Sequence, residues 1–322
     1  MHNRFIRVML VAAAVVAVQL SAPSWAQKPA APAPQASGEI DEVIITARQR
    51  EEKLIDVPVT EQVFTAADIA AAGIERPQDF IALTPGVSQV QTAEVGDMQV
   101  SIRGINTSRD SETNFALVID GVLQTNPNAL NQEFDSVTQI EVLKGPQGAV
   151  YGRNAVAGAL ILSTRKPTDQ FAAEVGVGGG SDSLKKANVW IGGPLTDGIK
   201  ASLSGYYRKT NGQWDNSFLK CSDCVDYFEE KGGTVRALFD VAGGQFDFKA
   251  KYSKLDSGAI NFNASIALSE AAQFFGPAFY EDPNDHPFAY INDVRPVNEQ
   301  TNKNFSLKGE WKLDVGTLTS YV

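Results

Sequence analysis

Apolar and polar residues alternate over several segments of the chain beyond residue 167. The segments 199–208, 235–241, 246–253 and 305–313 each place mainly apolar or small side chains on one side and Lys, Arg, Asp or Ser on the other. Because successive side chains of a strand point to opposite faces, a period of two predicts β-strands with one apolar and one polar face. Lysines and arginines at strand centres favour a wall around a watery interior, although a soluble sandwich with one wet face per sheet is the alternative.

The connectors between these strands alternate between short and long. Segments 192–198, 242–245 and 314–316 predict short turns, whereas 211–229 and 255–302 predict long loops. Short turns on one side and long loops on the other are typical of outer-membrane barrels, whose strands cross the bilayer at a tilt. Aromatic residues near the strand ends predict girdles at the membrane interfaces, formed by Tyr206, Tyr207, Trp214, Tyr252, Trp311 and Tyr321.

Residues 50–166 mix helical and strand patterns, which predicts a compact α+β domain. A helix over 66–72 is predicted because Thr65 and Asp68 are spaced as a capping box. Gly73 would end this helix, since glycine adopts the left-handed conformation of a helix C-terminus without strain.

A second helix over 77–83 is predicted to open at Pro77, which is pre-organised for a first helical turn. Asp120–Gly121 is a typical hairpin turn pair. The strands predicted in this domain are 57–64, 98–105, 116–119, 122–123, 138–143 and 157–164.

The first 40 residues predict a targeting sequence followed by a flexible tether. Residues 1–26 combine a cationic start, a short apolar core and a small-residue cleavage site, which predicts a secretory signal peptide. Residues 27–40 are rich in Pro and Ala and predict a flexible tether. The β-prone run that follows could add as a strand to another protein's sheet edge, or be the first strand of the next domain.

Composition excludes several kinds of function. The formal net charge of −10 argues against nucleic-acid binding, and two histidines make a His-based metal site improbable. The glycine-rich stretch 145–153 lacks the Lys-Ser/Thr of a phosphate loop. No catalytic constellation, cofactor site or metal site is predicted, so the chain is not expected to be an enzyme. Outside the cytoplasm, Cys221 and Cys224 are expected to form a local disulfide.

Several motifs resemble those of TonB-dependent outer-membrane receptors. Residues 41–47, DEVIITA, resemble a TonB box. Further motifs resemble successive parts of the family's plug domain and occur in the family's order: PVT at 58–60, IALTPGV at 81–87, IRG at 102–104, VIDGV at 118–122, IEVLKGPQG at 140–148 and YGRNAVAG at 151–158.

The resemblance implies an α+β plug domain over 50–166, followed by antiparallel transmembrane β-barrel strands over 167–322. In the family the plug sits inside a 22-stranded barrel. It further implies a transporter in the outer membrane of a Gram-negative bacterium. The transporter would contact outer-membrane lipid and take up a ferric siderophore or another large solute, powered through TonB with ExbB/ExbD. TonB would bind Asp41, Glu42, Val43, Ile44, Ile45, Thr46 and Ala47.

The resemblance also implies site residues within the plug. Plug–barrel contacts are assigned to Arg103, Glu141, Lys144 and Arg153, where the arginines match plug arginines that pair with barrel carboxylates; considered alone, they could be solvated surface residues. Polar loops at the plug tips suggest ligand contacts by Asn106, Ser108, Arg109, Gln124 and Asn126.

The length of the chain adds two expectations. Residues 167–322 hold fewer strands than a plugged barrel needs, so we interpret the chain as a truncated N-terminal part of such a receptor. The short distance between the cleavage site and residue 41 leaves no space for a signalling domain, which predicts transport without transcriptional signalling. The alternative function is a passive barrel or a secreted β-rich binding protein.

Overall fold

The computed structural model describes residues 44–45, 52–53, 60–91, 98–107, 112–130, 134, 136–152, 154–241, 243–258, 289–290 and 293–322. All of them belong to one compact unit, Val43–Val322. The predicted signal peptide and tether lie outside the described residues, as do Asp41, Glu42, Val43, Thr46, Ala47, Ser108, Arg109 and Arg153.

The first half of the described chain is a small α+β domain. Its helices are α1 (Ala66–Ala72), α2 (Pro77–Ala82) and α3 (Gly148–Tyr151), and a 3-10 helix covers Pro127–Leu130. Its strands are β1 (Ile44–Ile45), β2 (Glu52–Lys53), β3 (Thr60–Phe64), β4 (Val87–Gln91), β5 (Met98–Ile102), β6 (Ile105–Asn106), β7 (Phe115–Ile119), β8 (Val122–Gln124), β9 (Val137–Lys144) and β10 (Gly158–Thr164).

A mixed five-stranded sheet in the order β3-β9-β10-β7-β8 organises this domain. One face carries the larger apolar cluster, in which Phe80 and Ile81 of α2 pack with Ile140, Val142 and Leu160 of the sheet. The other face carries a second cluster that contains Ile45, Leu143, Tyr151 and Ile161. Both faces are therefore covered, which explains why β7 is a continuous apolar run rather than an alternating one.

The local signals of the first helix are confirmed. Asp68 N donates to Thr65 Oγ1 at 3.3 Å, and Thr65 N donates to Asp68 Oδ2 at 2.9 Å, as a capping box requires. Gly73 ends α1 in the left-handed conformation, with φ at 65°.

One predicted plug strand is interrupted. The pattern over 98–105 predicted a single strand, but β5 ends at Ile102 and pairs with β6 as a hairpin. Arg103 and Gly104 form the turn, with φ angles of 52° and 81°. The alternation of Met98, Val100 and Ile102 did predict the buried face, whereas nothing in it marked the reversal.

The second half of the described chain is an antiparallel wall. Seven strands follow one another as β11 (Ala172–Gly179), β12 (Lys185–Thr196), β13 (Ile199–Thr210), β15 (Phe228–Val241), β16 (Gly244–Ser257), β18 (Asn298–Leu313) and β19 (Gly316–Tyr321). Two short strands, β14 (Asp215–Asn216) and β17 (Ala289–Tyr290), pair in parallel between the loops. No helix among the described residues is long and apolar enough to cross a membrane.

Connector lengths define two ends of this wall. Tight connections at 197–198, 242–243 and 314–315 mark the turn end, and the connections over 211–227 and 258–297 mark the loop end. All five predicted connectors were too long, most of all 192–198 and 255–302, because β12 continues to Thr196 and β18 begins at Asn298. Pro194 is tolerated in β12 because the register shifts there, as expected at a bulge.

The wall buries its polar face and exposes its apolar face. Ser202, Ser204, Arg236, Lys249 and Ser253 are buried towards the plug. The opposite face exposes Val175, Val177, Leu203, Val235 and Phe305. This arrangement is the reverse of a soluble sandwich and is the one expected for strands with lipid outside and a polar interior.

The predicted aromatic girdle is partly wrong. On the outward face at the turn end, Phe239 stacks on Phe246 with 5.5 Å between ring centroids, and Trp311 contacts Phe246 edge to face at 5.2 Å. Tyr206 is instead buried on the inward face, and Tyr321 lies near Lys308 on that same face. Trp214 packs on the disulfide loop. The register of the strands determines whether each aromatic side chain faces inward or outward, and that register could not be inferred from a position near a strand end alone.

Candidate functional site at the plug–barrel boundary

The turn between β7 and β8 presents Asp120 to the wall. Asp120 and Gly121 have φ angles of 51° and 86°, the left-handed pair that a tight hairpin requires. The Asp120 carboxylate accepts hydrogen bonds from Thr164 N at 2.8 Å and from Thr164 Oγ1 at 2.6 Å. These two bonds to the end of β10 hold the carboxylate in place through contacts within the plug itself.

Two cations of the wall meet this carboxylate. Lys249 Nζ of β16 donates directly to Asp120 Oδ2, and Arg236 Nη1 of β15 lies 3.7 Å from Asp120 Oδ1. Burial alone would raise the pKa of Asp120, but Lys249 and Arg236 hold that pKa below its usual value. The carboxylate therefore stays charged inside a buried boundary.

Arg236 ties the same cluster together. Its guanidinium donates to both oxygens of Asp247, at 2.9 Å from Nε and 2.6 Å from Nη2. Nη1 also donates to the carbonyl and hydroxyl oxygens of Thr164, at 3.0 and 2.8 Å. One arginine thus links two plug residues to a neighbouring wall strand, and Asp120 and Asp247 together balance Arg236 and Lys249. We call these four residues and Thr164 the hairpin cluster.

A second charged cluster lies at the loop end of the wall. Glu75 is paired with Lys186 of β12 and Arg208 of β13. Burial opposes ionisation of Glu75, but these two cations keep its pKa below the usual value. The plug backbone at this point is held because the N–H groups of Glu75 and Arg76 both donate to Asp79 Oδ2 at 2.9 Å.

Arg76 extends this cluster to the neighbouring strand. Its Nη1 lies 3.2 Å from Glu230 Oε2 of β15, and both side chains are almost fully buried. Tyr206 donates its hydroxyl to the other oxygen of Glu230 at 2.7 Å. The guanidinium also stacks over the Phe228 ring, 4.3 Å from its centroid. The plug is therefore held by ion pairs at two heights of the wall.

The assigned plug–barrel residues are distributed differently from these clusters. Arg103 is exposed at its turn, and Lys144 lies nearby, where burial and then the charge of Arg103 lower its pKa. Glu141 is fully buried in the central plug sheet, where its Oε1 accepts from Gln139 Nε2 at 2.9 Å. These three residues all lie within the plug, with Arg103 near Lys144, and none of them belongs to the hairpin cluster.

Glu141 has an acidic neighbour. Burial raises the pKa of Glu61 on β3 to about 8, and the charge of Glu141 on the neighbouring strand β9 adds to this rise. Both carboxyl oxygens of Glu61 are shielded from solvent. Glu61 therefore retains its proton at neutral pH.

The residues assigned to ligand contacts lie in two different places. Asn106 is exposed on β6, and its carbonyl accepts from Asn114. Gln124 and Asn126 instead line a cavity of about 380 Å³ between the plug and the inward side of β16 and β18. Gln124 Oε1 accepts from Asn304 Nδ2 of β18 at 3.4 Å.

Two further assigned features lie away from this boundary. Cys221 and Cys224 are joined by a disulfide in the loop between β13 and β15. Ile44 and Ile45 form β1, which pairs antiparallel with β2, and Ile45 is fully buried in the second plug cluster. Within the described residues, no group of three or more His, Cys, Asp or Glu side chains could hold a metal ion.

A sheet domain tied by buried charges to a polar-in, apolar-out strand wall defines a plugged barrel. Residues 53–159 match the TonB-dependent Receptor Plug Domain family. The chain therefore carries the plug domain of TonB-dependent receptors, followed by antiparallel barrel strands.

Individual relatives agree with this assignment. A vitamin B12 transporter of Vibrio vulnificus is 29% identical over 178 residues, which cover 53% of this chain and 28% of that protein. A pesticin receptor of Yersinia pestis is 27% identical over 160 residues, which cover 49% of this chain and 23% of the receptor. The chain thus matches only about a quarter of the length of these relatives.

Solved structures share the fold. The ferric yersiniabactin uptake receptor FyuA from Yersinia pestis superposes with a TM-score of 0.68 at 21% identity, covering 80% of this chain and 39% of that one. The ferripyoverdine receptor of Pseudomonas aeruginosa gives a TM-score of 0.65 at 18% identity, covering 86% of this chain and 35% of that one.

Proposed function

We propose that the protein is part of a TonB-dependent outer-membrane transporter, which takes up a scarce siderophore-iron complex or another large solute with energy from the inner-membrane proton motive force. The observation that carries this proposal is the plug held by buried ion pairs inside a wall with an apolar exterior. The named relatives, a vitamin B12 transporter and pesticin receptors, support solute uptake and receptor activity.

The same observation supports a place in the outer membrane of a Gram-negative bacterium. The outward face of the wall exposes aliphatic side chains and carries, at its turn end, the half-buried aromatic cluster of Phe239, Phe246 and Trp311. Such aromatic clusters suit the interface between lipid tails and headgroups. Outer-membrane lipid is therefore the partner that we propose for this face.

For energy input, we assign TonB binding to residues 41–47, with ExbB/ExbD acting on TonB. In support, Ile44 and Ile45 already adopt a strand, and within the described residues β1 pairs with the two residues of β2. A short internal partner is readily exchanged for the edge strand of another protein, because strand addition draws its affinity from backbone hydrogen bonds. The burial of Ile45 against Leu143 and Ala159 would transmit a pull on β1 to the plug core.

For gating, we propose that displacement of the plug exchanges its wall contacts for water. The hairpin cluster and the Glu75–Arg76 cluster would define the closed position. Charged contacts suit this task because their strength depends on exclusion of water, so a small displacement weakens them steeply. Arg103, Glu141, Lys144 and Arg153 remain our assignment for further plug–barrel contacts. Asn106, Ser108, Arg109, Gln124 and Asn126 remain our assignment for ligand contacts.

The proposal is tested by uptake in the native host. Strains with and without the receptor are compared for accumulation of radiolabelled cobalamin and of a panel of ⁵⁵Fe-loaded siderophores. We expect one substrate to accumulate only with the receptor, and this accumulation to stop on deletion of TonB or addition of a protonophore. Receptor-dependent entry that persists without TonB would instead identify a passive barrel.

A further inference from the structure

Two carboxyl groups, which we call the acid pair, lie on a largely apolar face of the plug sheet. The register of β3 with β9 places Glu61 beside Leu143 and Val63 beside Glu141, so these four side chains share one face. Strands β10 and β7 extend this face with apolar residues, namely Ala159, Ile161, Ala116 and Val118. Glu141 is fully buried, and both carboxyl oxygens of Glu61 are shielded from solvent. Ionisation is costly for a carboxyl group in such surroundings, and costlier still beside a second one.

The same face also seats β1. Ile45 is fully buried in an apolar cluster with Leu143 and Tyr151, and Val63 packs against that cluster. Leu143 is thus both the cross-strand neighbour of Glu61 and a member of the cluster that buries Ile45. Because side chains in such a layer are close-packed, a change at the acid pair is transmitted to the seat of β1.

The titratable side chains that the described elements place on this face are the acid pair and Tyr151 of α3. Burial raises the pKa of Glu61 to about 8, and the charge of Glu141 adds to this rise. Burial also raises the pKa of Tyr151, and the charges of Glu141, of Glu61 and of Tyr321 on the wall add to that rise. Tyr151 therefore stays protonated near neutral pH, whereas the acid pair titrates there.

We propose that the acid pair and β1 form a proton-controlled latch on the plug. While the pair retains a proton, the face stays apolar enough to seat Ile45. When that proton passes to solvent, two negative charges lie side by side on the face, which draws in water and releases β1. This inference rests on the proposed function, because β1 belongs to the segment that we assign to TonB. It adds a form of regulation: the segment is offered to TonB more readily as the pH of the periplasm rises.

Hydrogen exchange of the backbone amides of β1 tests this latch. The receptor is purified in detergent micelles, and peptides that contain β1 are followed by mass spectrometry from pH 6 to pH 9. Each exchange rate is divided by the intrinsic rate at that pH, and β5 on the opposite side of the plug sheet provides the internal reference. An opening that exposes Glu61 to water releases its proton. The opening equilibrium of β1 should therefore rise by up to about tenfold per pH unit below pH about 8 and level off above it.

Three variants identify the group responsible. Glu61→Gln retains the size of the side chain but cannot ionise, so the protection of β1 should no longer depend on pH. Glu141→Gln removes the neighbouring charge and should weaken the dependence. Asp197→Asn removes a carboxylate from an exposed tight turn and should leave the dependence as in the wild type.

Protection of β1 that does not change with pH in the wild type would overturn the proposal. An equal change in β5 would also overturn it, because the whole plug would then loosen rather than the latch. If Glu61→Gln does not fold, Glu141→Gln provides the test of the acid pair, and a dependence identical to that of the wild type would refute the latch.

Binding of the purified periplasmic domain of TonB, measured at pH 6.5 and pH 8.5, separates this proposal from the proposed function. Tighter binding at pH 8.5 in the wild type, but not in Glu61→Gln, is the expected result. Opening of β1 that depends on pH without binding of TonB at either pH would retain the latch and refute the assignment of β1 to TonB. Equal binding at both pH values, together with protection that does not change, would retain that assignment and refute the latch.

Discussion

Asp120 in the turn of a plug hairpin and Arg236 on a wall strand form an ion pair across the plug–barrel boundary, with 3.7 Å between Oδ1 and Nη1. Lys249 and Asp247 complete the cluster, and all four side chains are at most 15% exposed. Groups this well shielded are costly to leave unpaired, so the cluster defines one position of the plug relative to the wall.

Replacement of Asp120 by Asn should loosen that boundary. The substitution keeps the shape but leaves Arg236 and Lys249 with one carboxylate in a buried site, at an expected cost of about 3–5 kcal/mol. Denaturant unfolding of the receptor in micelles measures this loss. In planar lipid bilayers, we expect the variant to open to ion flow more often than the wild type.

Asp240→Asn is the matched control for this experiment. Asp240 is exposed near the turn end of β15, and its replacement changes the net charge equally. Removing Lys249 together with Asp120, as Lys249→Met/Asp120→Asn, should recover part of the loss because the excess buried cation is removed. An Asp120→Asn variant as stable and as closed as Asp240→Asn would show that the cluster does not hold the plug.

Two ion pairs on adjacent residues of β15 should differ strongly in strength. Glu230 is buried and pairs with Arg76 at 3.2 Å, whereas Glu229 pairs with the exposed Lys209 at 3.1 Å. Exposed pairs contribute about 0–1 kcal/mol, but breaking a buried pair costs about 3–5 kcal/mol. Thermal unfolding should therefore show a large loss for Glu230→Gln and almost none for Glu229→Gln.

A control variant must distinguish the loss of the Arg76–Glu230 ion pair from the loss of the other contacts of Glu230. Tyr206→Phe removes the hydroxyl bond to the Glu230 carboxylate and leaves Arg76 in place, so it should cost about 1.5–3 kcal/mol, less than Glu230→Gln. Equal losses for Glu229→Gln and Glu230→Gln would contradict the assignment of Arg76 and Glu230 as a plug anchor.

Local signals in the sequence predicted much of the plug. The capping box of Thr65 and Asp68 and the hairpin turn at Asp120–Gly121 depend on residues a few positions apart, so their geometry can be inferred from spacing. Alternation likewise predicted the wall strands β13, β15, β16 and β18, because one face contacts plug and water and the other is apolar. Strand ends were less certain, as Pro194 within β12 illustrates.

The contacts that hold the plug could not be predicted in this way. Lys249 lies 129 positions after Asp120, and their pairing depends on the register of every wall strand between them. Sequence patterns identified Asp120 as a turn residue and Lys249 as a residue of the polar face, but gave no reason to join them. The family motifs directed attention to Arg103 and Glu141 instead, while Arg76, Glu230 and Arg236 carried no local mark.

The stability of the plug should decrease as pH rises through neutrality. Burial and Glu141 raise the pKa of Glu61 from 4.5 to about 8, so the folded plug retains a proton that the unfolded chain has released. The folded state therefore loses stability between pH about 4.5 and about 8, by up to about 1.4 kcal/mol per pH unit for one proton. Thermal unfolding measured from pH 5 to 9 should show this slope.

Glu61→Gln should flatten the slope, because glutamine cannot ionise and still donates a hydrogen bond towards Glu141. Glu141→Gln should have a similar effect, since the titration belongs to the pair. Asp197→Asn, at an exposed tight turn, serves as control and should leave the slope unchanged. A slope that persists in both glutamine variants would assign the titration to another group.

Ile44→Pro should abolish energised uptake without affecting ligand binding. Proline removes the backbone donor that strand addition to TonB would use, and it cannot form a ladder bond within a strand. Ile44→Val retains the donor and the β-branched shape, so uptake should continue in this control. Both variants are measured for ⁵⁵Fe-siderophore or cobalamin accumulation in cells and for ligand binding at 4 °C. Normal accumulation by Ile44→Pro would show that residues 41–47 are not needed for energy transfer. Loss of ligand binding together with uptake would also contradict the prediction, because the substitution would then act on binding.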